Sequence, residues 1–237
     1  MNPTEFVLKL KEKGIILNET QIKQFHDYYL LLKKWNDIMN LTTIIEEEKV
    51  YEKHFYDSLT VAFEYDFSNK KMLDIGTGAG FPSIPLKIVF PRLKLTAMDS
   101  VAKKMKFIED VVKNLGLKDV TIVPDRAESY IVKHREEFDV VTARAVARLN
   151  ILMELAAPYL KVGGHFIALK GAGGQEEYHE AREASELLHL NLYAHQEIEL
   201  PEEKSSRHNY FYVKTEKTNP RYPRAYNKIK QSPLKKS

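Results

Sequence analysis

The 237-residue sequence contains no cysteine. Disulfides, cysteine-ligated zinc, iron–sulfur clusters and thiolate nucleophiles are therefore excluded. The absence also fits a reducing compartment. With 43% hydrophobic and 29% charged residues, the chain has the composition of a soluble domain that needs no metal or disulfide to hold its core.

Long hydrophobic runs are also missing from the sequence. No apolar stretch reaches the roughly 18–20 residues that are needed to cross a bilayer. The stretch from Met1 to Leu10 contains Glu5 and Lys9, which is not typical of a signal peptide. These absences predict a cytoplasmic protein without a membrane partner.

Net charge is small, because 36 basic and 33 acidic residues give +3. The charge is unevenly distributed, however. Residues 214–237 contain eight basic residues and one acid, which leaves residues 1–213 at −4. A basic end on a slightly acidic body indicates a polyanionic partner, although a solvated tail that only improves solubility would have the same composition.

The first 69 residues show helical patterns. Asn18 and Gln21 have the spacing of a capping box at a helix start, and apolar residues recur behind them at three- and four-residue spacing. A shorter amphipathic piece ends at Gly14, and another helix is predicted over residues 47–63. We expect this N-terminal helical extension, residues 1–69, to pack on the domain that follows.

From residue 70 to residue 213, short apolar runs alternate with helical patterns, which predicts an α/β core with a mostly parallel sheet. The last two strands are joined by a short polar loop and should pair antiparallel. Asn150 is placed to cap a helix that runs through Ala157. The tail 214–237 is predicted to be irregular, because it has three prolines and no apolar period. The predicted strands are 72–75, 94–98, 120–123, 138–142, 165–169, 194–200 and 210–213.

The strongest motif is DIGTGAG at residues 74–80, directly after the first predicted strand. Its alternate glycines allow a tight turn and a close approach of ligand to backbone. The spacing is not that of a dinucleotide-binding loop, and the absence of G-K-[ST] excludes a nucleoside-triphosphate P-loop. Asp74 favours a cationic ligand such as the amino and sulfonium groups of S-adenosylmethionine (SAM), and Asp99 could accept ribose hydroxyl hydrogens. Taken alone, the glycines could be only a turn and Asp99 only a helix cap.

This loop together with Asp99 resembles the SAM site of the Rossmann-like class I methyltransferases. Further segments resemble the family of ribosomal RNA small subunit methyltransferase G, over nearly the whole chain and in order. They are 54–59 (HFYDSL), 78–82 (GAGFP), 142–147 (TARAVA), 169–171 (LKG) and 222–224 (YPR). The resemblance implies a Rossmann-like α/β fold, a seven-stranded sheet with one antiparallel strand, and methylation of N7 of one guanine in the decoding region of 16S rRNA.

The resemblance also implies which residues bind the cofactor. The positions expected to contact SAM are Gly76, Gly78, Phe81, Asp99, Ala127, Glu128 and Arg144. Phe81 and Ser83 depart from the family's commoner Gly-Leu-Pro-Gly form, and a ring at Phe81 could still cover an apolar part of the ligand. Arg144 and Lys170 are candidate positioning groups, and Arg144 could instead pair with a carboxylate such as Glu128 and only shape the pocket. No metal site is expected.

The residues also narrow the methyl acceptor. Methylation at carbon 5 of a pyrimidine needs a covalent nucleophile, normally a cysteine, which this chain lacks. The residues after the fourth strand, TARA at 142–145, lack the Asn/Asp-Pro-Pro motif of exocyclic-amine methylases. Guanine N7 has a lone pair and no proton to lose, so its methylation needs no general base, and no acid/base pair is recognisable here.

Basic residues near the C-terminus are the candidate contacts with RNA. Cations would bind phosphates, and the rings of Tyr222 and Tyr226 between them could stack on unpaired bases. We expect deletion of residues 214–237 to weaken rRNA binding and to spare SAM binding. The candidates are Arg207, Arg221, Arg224, Lys228 and Lys230.

Three functions are compatible with these patterns. The leading hypothesis is a monomeric SAM-dependent guanine-N7 methyltransferase whose partner is 16S rRNA or the small ribosomal subunit. A SAM-dependent methylase of a small molecule would leave the basic tail unexplained. A non-catalytic rRNA- or ribosome-binding module with a retained nucleotide pocket would bind rRNA without transferring a methyl group.

Overall fold

The computed structural model describes residues 1–235, so Lys236 of the predicted basic tail lies outside the described residues. Its strands are β1 Lys71–Ile75, β2 Lys94–Met98, β3 Val120–Val123, β4 Phe138–Arg144, β5 Leu160–Lys170, β6 Leu190–Glu199 and β7 Ser206–Lys214. They form one sheet in the order β3-β2-β1-β4-β5-β7-β6, in which β7 runs antiparallel to both neighbours and the other pairs are parallel. The predicted seven-stranded α/β fold with one antiparallel strand is confirmed.

Helices cover both faces of the sheet. They are α1 Pro3–Glu12, α2 Glu19–Asn36, α3 Glu47–Val50, α4 Asp57–Leu59, α5 Ser83–Val89, α6 Ala102–Asn114, α7 Ala127–Tyr130, α8 Leu149–Ala156, α9 Gly174–Leu187 and α10 Tyr226–Gln231. A π-helical turn, Tyr51–Tyr56, joins α3 to α4, and a 3-10 turn, Thr60–Phe63, follows α4. The helix predicted over residues 47–63 is therefore present as one run of four helical pieces.

The two predicted helix caps have opposite outcomes. The capping box of α2 is confirmed, because Asn18 Oδ1 accepts from the Gln21 amide at 2.9 Å and Gln21 Oε1 accepts from the Asn18 amide at 3.0 Å. The cap at Asn150 is wrong. Asn150 lies inside α8 and is buried, and the amide of Leu149 before it donates to Glu177 Oε2 of α9 at 2.7 Å. A side chain from another helix thus does what a local cap was expected to do.

The N-terminal helices pack on one face of the sheet and support the glycine loop. Buried rings of Phe6, Phe25 and Phe55 share one apolar cluster with side chains of α5 and α6. The Gln21 side chain donates to the carbonyl of Ile88 at 2.8 Å. The apolar cluster holds the first 69 residues against the sheet, and the hydrogen bond from Gln21 to α5 sets their orientation on it.

The opposite face carries α7, α8, α9 and the C-terminal tail. The prediction that the tail is irregular is wrong: it contains α10, and the side chains of Tyr222 and Ile229 are buried in the core of this face. Lys214, the first basic residue of the tail, has no exposed surface and donates to the carbonyls of Ala157 and Leu160. The tail is thus a docked element of the fold as far as residue 235.

No helix within residues 1–235 is long and apolar enough to cross a membrane.

Candidate active site

A cleft of about 400 Å³ opens at the carboxyl edge of the sheet, where open α/β folds bind their ligands. It is lined by residues that follow β1, β2, β3 and β4, together with side chains from α8 and α10. We call it the first cleft; its lining is Ile75, Gly76, Met98, Asp99, Ser100, Val101, Lys104, Asp125, Arg126, Ala127, Glu128, Ala145, Val146, Leu155 and Tyr226. Four of the predicted cofactor residues, Gly76, Asp99, Ala127 and Glu128, are thus brought together.

The glycine loop closes the inner end of the first cleft. Gly76 has a φ of +70°, and a Cβ there would lie 2.5 Å from Val146 Cγ2, so the loop after β4 packs directly on it. Gly80 has a φ of +93°, and a Cβ there would lie 2.6 Å from the Tyr28 hydroxyl. That hydroxyl donates to the carbonyl of Ala79. Glycine is therefore required at both positions by backbone conformation and by space.

Asp99 is the carboxylate of the first cleft. Its Oδ2 accepts from the Gly78 amide at 3.1 Å, and its Oδ1 accepts from the Val101 amide at 2.9 Å. Lys104 Nζ lies 3.7 Å from Oδ2. The carboxylate is thus held by two backbone amides and remains at the cleft surface, which suits a ligand with adjacent hydroxyl groups. Gly78 does not line the cleft, and its part in the site is to fix Asp99.

Asp74 was expected to face a cationic ligand, and the structure corrects this. The side chain has no exposed surface and lines neither cleft; Thr142 Oγ1 donates to its Oδ1 at 2.9 Å. Burial raises the pKa of Asp74 to about 6, with hydrogen bonds from Thr77, Ser83 and Thr142 opposing the shift. Asp74 therefore supports the loop from beneath.

The far end of the first cleft lies after β3. Ala127 is buried, and its carbonyl accepts from the Tyr159 hydroxyl at 2.5 Å. Glu128 is partly exposed there, with Arg126 Nη1 3.9 Å from its Oε1. Arg144 does pair with a carboxylate, as its alternative interpretation predicted, but the partner is Asp57 in a second cleft and not Glu128.

The second cleft, about 700 Å³, adjoins the first, and Ala145 and Val146 line both. Its other walls come from the helical run 47–63, the ends of β4 and β5, α9 and the loop before β7. The rest of its lining is Ile44, Lys53, His54, Asp57, Ala147, Arg148, Arg144, Leu169, Lys170, Gly171, Glu177, Glu203, Ser205 and Arg207. Five of these side chains are basic, so the cleft suits an acceptor that carries phosphate.

Two arginines share one carboxylate in the second cleft. Asp57 Oδ2 accepts from Arg144 Nη1 at 3.2 Å and from Arg207 Nε at 3.1 Å. Arg144 also donates to the carbonyl of Lys53 at 3.2 Å, which the π-helical turn presents. Burial lowers the pKa of Arg144, and Asp57 opposes that shift. Asp57 was not among the predicted site residues, although it lies in the segment 54–59 that carries part of the family resemblance.

A planar stack lies beneath Arg144. The ring of Phe81 lies 4.4 Å from the ring of His54 at an interplanar angle of 17°, and the Arg144 guanidinium carbon lies 5.1 Å from the Phe81 centroid. Burial, with help from the charge of Arg144, lowers the pKa of His54 to about 3, so this imidazole is neutral near pH 7. Phe81 lines neither cleft. The structure places it as the support of the two side chains above it.

Lys170 lies at the other side of the second cleft. Its Nζ donates to the carbonyl of Ala147 at 2.6 Å and lies 2.7 Å from Glu177 Oε2. Burial lowers the pKa of Lys170, and Glu177 opposes the shift. The same Glu177 oxygen accepts from the Leu149 amide. Lys170 is thus bound to the loop that separates the two clefts.

The predicted RNA contacts occupy different positions. Arg207 lies in the second cleft, whereas Lys228 and Lys230 are exposed on α10. Arg221 is exposed and stacks on Tyr222, with its guanidinium carbon 4.7 Å from that ring. Because Tyr222 is only 3% exposed, it cannot stack on an RNA base while the tail is docked.

Arg224 already has a protein partner. It donates to Glu154 through its amide at 2.9 Å, through Nε at 2.8 Å and through Nη2 at 2.7 Å. A phosphate contact by Arg224 would therefore have to compete with a buried carboxylate. Within residues 1–235 no group of three or more His, Cys, Asp or Glu side chains could hold a metal ion.

The sheet order and the cleft at its carboxyl edge define a class I SAM-dependent methyltransferase fold. The precorrin-6y C5,15-methyltransferase of Geobacter metallireducens aligns with a TM-score of 0.54 at 18% identity, over 73% of this chain and 90% of its own. A SAM-dependent methyltransferase of Aquifex aeolicus aligns with a TM-score of 0.54 at 19% identity, over 72% and 94%. TYW2 of M. jannaschii, solved in complex with AdoMet, aligns with a TM-score of 0.56 at 13% identity, over 73% and 79%. At such identities the likeness concerns the fold.

Sequence comparison gives the family. The model of rRNA small subunit methyltransferase G matches residues 21–206. Proteins named ribosomal RNA small subunit methyltransferase G are similar to this chain over nearly their full lengths. The protein of Staphylococcus epidermidis is 49% identical over 231 residues, which cover 97% of each chain. The protein of Bacillus cereus is 47% identical over an alignment of 239 residues, which covers 100% of each chain. The chain belongs to the rRNA small subunit methyltransferase G family.

Proposed function

We propose that this chain transfers a methyl group from SAM to N7 of one guanine in 16S rRNA. The observation that carries the proposal is the meeting of two clefts at one loop, where Ala145 and Val146 line both. A donor in the first cleft and an acceptor in the second would face each other across this loop. The name of the matched family supports a small-subunit rRNA as the acceptor.

The chemistry of the first cleft suits SAM, which when bound supplies an electrophilic methyl group. Asp99 would accept the ribose hydroxyl hydrogens, and Gly76 lets the chain of the ligand lie close to the backbone. Ala127 and Glu128 would flank the adenine. Gly78 and Phe81 act indirectly in this proposal, because one fixes Asp99 and the other supports Arg144.

The second cleft suits an acceptor that has no proton to lose. Each of its carboxylates already has a cationic partner: Asp57 binds two arginines, Glu177 binds Lys170, and Glu203 binds Lys53. His54 is a very weak base, because its pKa is about 3. Guanine N7 requires no base, so orientation of the two reactants can supply most of the rate, which is worth up to roughly 7–11 kcal/mol.

Positively charged side chains around the second cleft would position the RNA. Arg144 can donate to guanine O6 or to a phosphate, and Arg207 beside it can do the same. Lys170 would act through the loop that it binds. Lys228 and Lys230 on α10, with Arg221, are the proposed phosphate contacts outside the clefts.

The remaining parts of the proposal concern organisation and location. The division into a helical extension 1–69, a catalytic core 70–213 and a basic tail 214–237 follows the sequence patterns. We infer a monomer in the cytoplasm, with 16S rRNA or the small ribosomal subunit as its partner.

A methyl-transfer assay tests the proposal. The protein is incubated with methyl-labelled SAM and with small subunits, or purified 16S rRNA, that lack the modification. Borohydride reduction followed by aniline cleavage then maps any N7-methylguanine. We expect one labelled site in wild type, at least tenfold slower transfer by Arg144→Gln, and normal transfer by Arg92→Gln, which alters an exposed arginine at the opposite edge of the sheet.

The two other functions give different results in this assay. A small-molecule methylase would turn over SAM with a small acceptor and leave the rRNA unlabelled. A non-catalytic module would bind rRNA with a salt-dependent affinity and transfer no methyl group. Labelled methyl at an atom other than guanine N7 would overturn the choice of acceptor atom while leaving the SAM site intact.

A further inference from the structure

The C-terminal tail takes part in the first cleft. Its short helix α10 lies against α8, and Tyr226, the first residue of α10, lines the cleft together with Leu155 of α8. The ring is partly buried and packs on the apolar cluster of that face. A segment that the sequence presented as a basic, irregular tail thus supplies a wall of the site that is proposed for SAM.

Contacts on both sides of Tyr226 in the sequence hold it in place. Before it, Arg224 binds the fully buried Glu154, and Arg135 Nη1 donates to the carbonyl of Tyr222 at 2.8 Å. After it, Ile229 has no exposed surface. The position of the ring is therefore set by the docked tail and not by the cleft residues alone.

Tyr226 is the one aromatic side chain among the described residues that line the first cleft. Asp99 is placed for a ribose, and a base attached to that ribose needs a flat apolar surface beside it. Ala127 and Leu155 offer apolar contact but no flat face. We propose that Tyr226 packs against the adenine of SAM, so that the basic tail is part of the cofactor site; this inference rests on the proposed function.

Helix α10 has a second face, which is exposed to solvent and basic. Tyr226 and Ile229 lie toward the protein, whereas Lys228 and Lys230 are exposed. Phosphates of the rRNA on the outer side would hold α10 against the cleft, and adenine on the inner side would do the same. Because such coupling is reciprocal, each ligand should raise the affinity for the other. The expectation that loss of residues 214–237 spares SAM binding is accordingly reversed: the truncated chain should bind SAM more weakly.

Calorimetric titration with S-adenosylhomocysteine, the demethylated product, tests the inference without catalysis. We expect Tyr226→Ala to raise Kd about tenfold, which corresponds to about 1.4 kcal/mol and lies within the range for a base stacked on an aromatic ring. Tyr226→Phe should stay within about twofold of wild type, because it keeps the ring. Tyr193→Ala, which removes a half-exposed tyrosine on β6 outside both clefts, is the control and should leave Kd unchanged.

Proteolysis of the wild-type protein gives a readout that needs no variant. Trypsin can cut after Lys228 and Lys230, and bound S-adenosylhomocysteine should slow cleavage at these bonds at least severalfold. In Tyr226→Ala this protection should be lost at the same fractional saturation, while the unfolding temperature without ligand stays near that of wild type.

The outcomes separate the two proposals. A wild-type protein that binds no S-adenosylhomocysteine would remove the proposed function and this inference together. A wild-type protein that binds it, but whose Tyr226→Ala variant binds equally well or whose tail gains no protection, would overturn this inference alone. Equal weakening in Tyr226→Phe and Tyr226→Ala would also overturn it, because the ring would then not be the contact.

Discussion

Replacing Arg224 with alanine should destabilise the whole fold, although the residue lies only thirteen positions before the last residue of the sequence. Glu154 of α8 has no exposed surface, and the hydrogen bonds to its carboxylate come from Arg224. The Arg224 guanidinium also donates to the carbonyl of Ser232 at 3.0 Å. A buried negative charge on α8 therefore depends on one side chain of the tail.

The size of the effect has two limits. If the tail stays docked in Arg224→Ala, Glu154 keeps only the backbone amide, and breaking such a buried pair costs about 3–5 kcal/mol. If the tail detaches, water can reach Glu154, and the cost becomes the loss of tail packing. Burial of the Ile229 side chain alone is worth about 1.5–3 kcal/mol in that case. We therefore expect a loss of about 3 kcal/mol by either route.

Urea denaturation followed by circular dichroism at pH 7 measures this loss. Arg221→Ala is the matched control, because Arg221 is exposed and its guanidinium packs on and donates to the neighbouring Tyr222, so its removal should cost less than about 1 kcal/mol. The double variant Glu154→Met, Arg224→Met should recover most of the stability, since it leaves no buried charge. A loss in Arg224→Ala that matches the control would refute the reasoning.

Three further predictions concern the glycine loop, the second cleft and the buried aspartate. Gly80→Ala should lower the free energy of unfolding in urea by about 2–4 kcal/mol, because it combines a positive φ with a clash against the Tyr28 hydroxyl. Gly116 has a φ of +64° and no atom within 4 Å of the added Cβ, so the control Gly116→Ala should cost only about 1 kcal/mol. Equal losses in the two variants would contradict this prediction. Asp57→Asn should slow methyl transfer to rRNA at least tenfold, because it loosens two arginines of the second cleft. The Kd for S-adenosylhomocysteine in calorimetry should stay unchanged, since these arginines do not line the first cleft. Weaker binding of S-adenosylhomocysteine would show that the two clefts are not separable. Burial raises the pKa of Asp74 to about 6, so the protonated carboxyl group favours the folded state. The stability that this proton contributes is complete below about pH 4 and is lost as the pH rises through 6. Relative to wild type, Asp74→Asn should therefore gain up to about 3 kcal/mol between pH 4 and pH 7, and a difference that is flat with pH would disprove the assignment.

Much of the sheet could be predicted because buried parallel strands are short apolar runs between polar segments. The bounds of β2 and β3 agree with the prediction to the residue. The start of β5 was missed because residues 161–164 combine exposed side chains with two glycines. Helix α9 was also missed. It buries only small side chains such as Ala181 and Ala184, so it shows no stripe of large apolar residues.

The candidate site was predictable where it follows from topology. Residues after β1, β2 and β3 meet at one edge because parallel strands end there, which brought Gly76, Asp99 and Glu128 together. The second cleft depends instead on contacts between distant segments. Asp57 and Arg207 are 150 positions apart, and no periodicity or spacing links them. The docking of the tail could not be predicted from the sequence either, because it depends on single buried residues that are separated by prolines and form no apolar period.

The loop after β4 is the structural element on which transfer would depend, because both clefts use it as a wall. A reaction that relies on orientation loses rate steeply when the two reactants shift by as little as about 1 Å. The loop is accordingly bound from several sides: Val146 packs on Gly76, and the carbonyl of Ala147 accepts from Lys170. Arg144 at its start binds Asp57 of the helical extension. The N-terminal helices, the glycine loop and the end of β5 therefore act on one short segment, and a change in any of them should reach the geometry between donor and acceptor without touching either ligand.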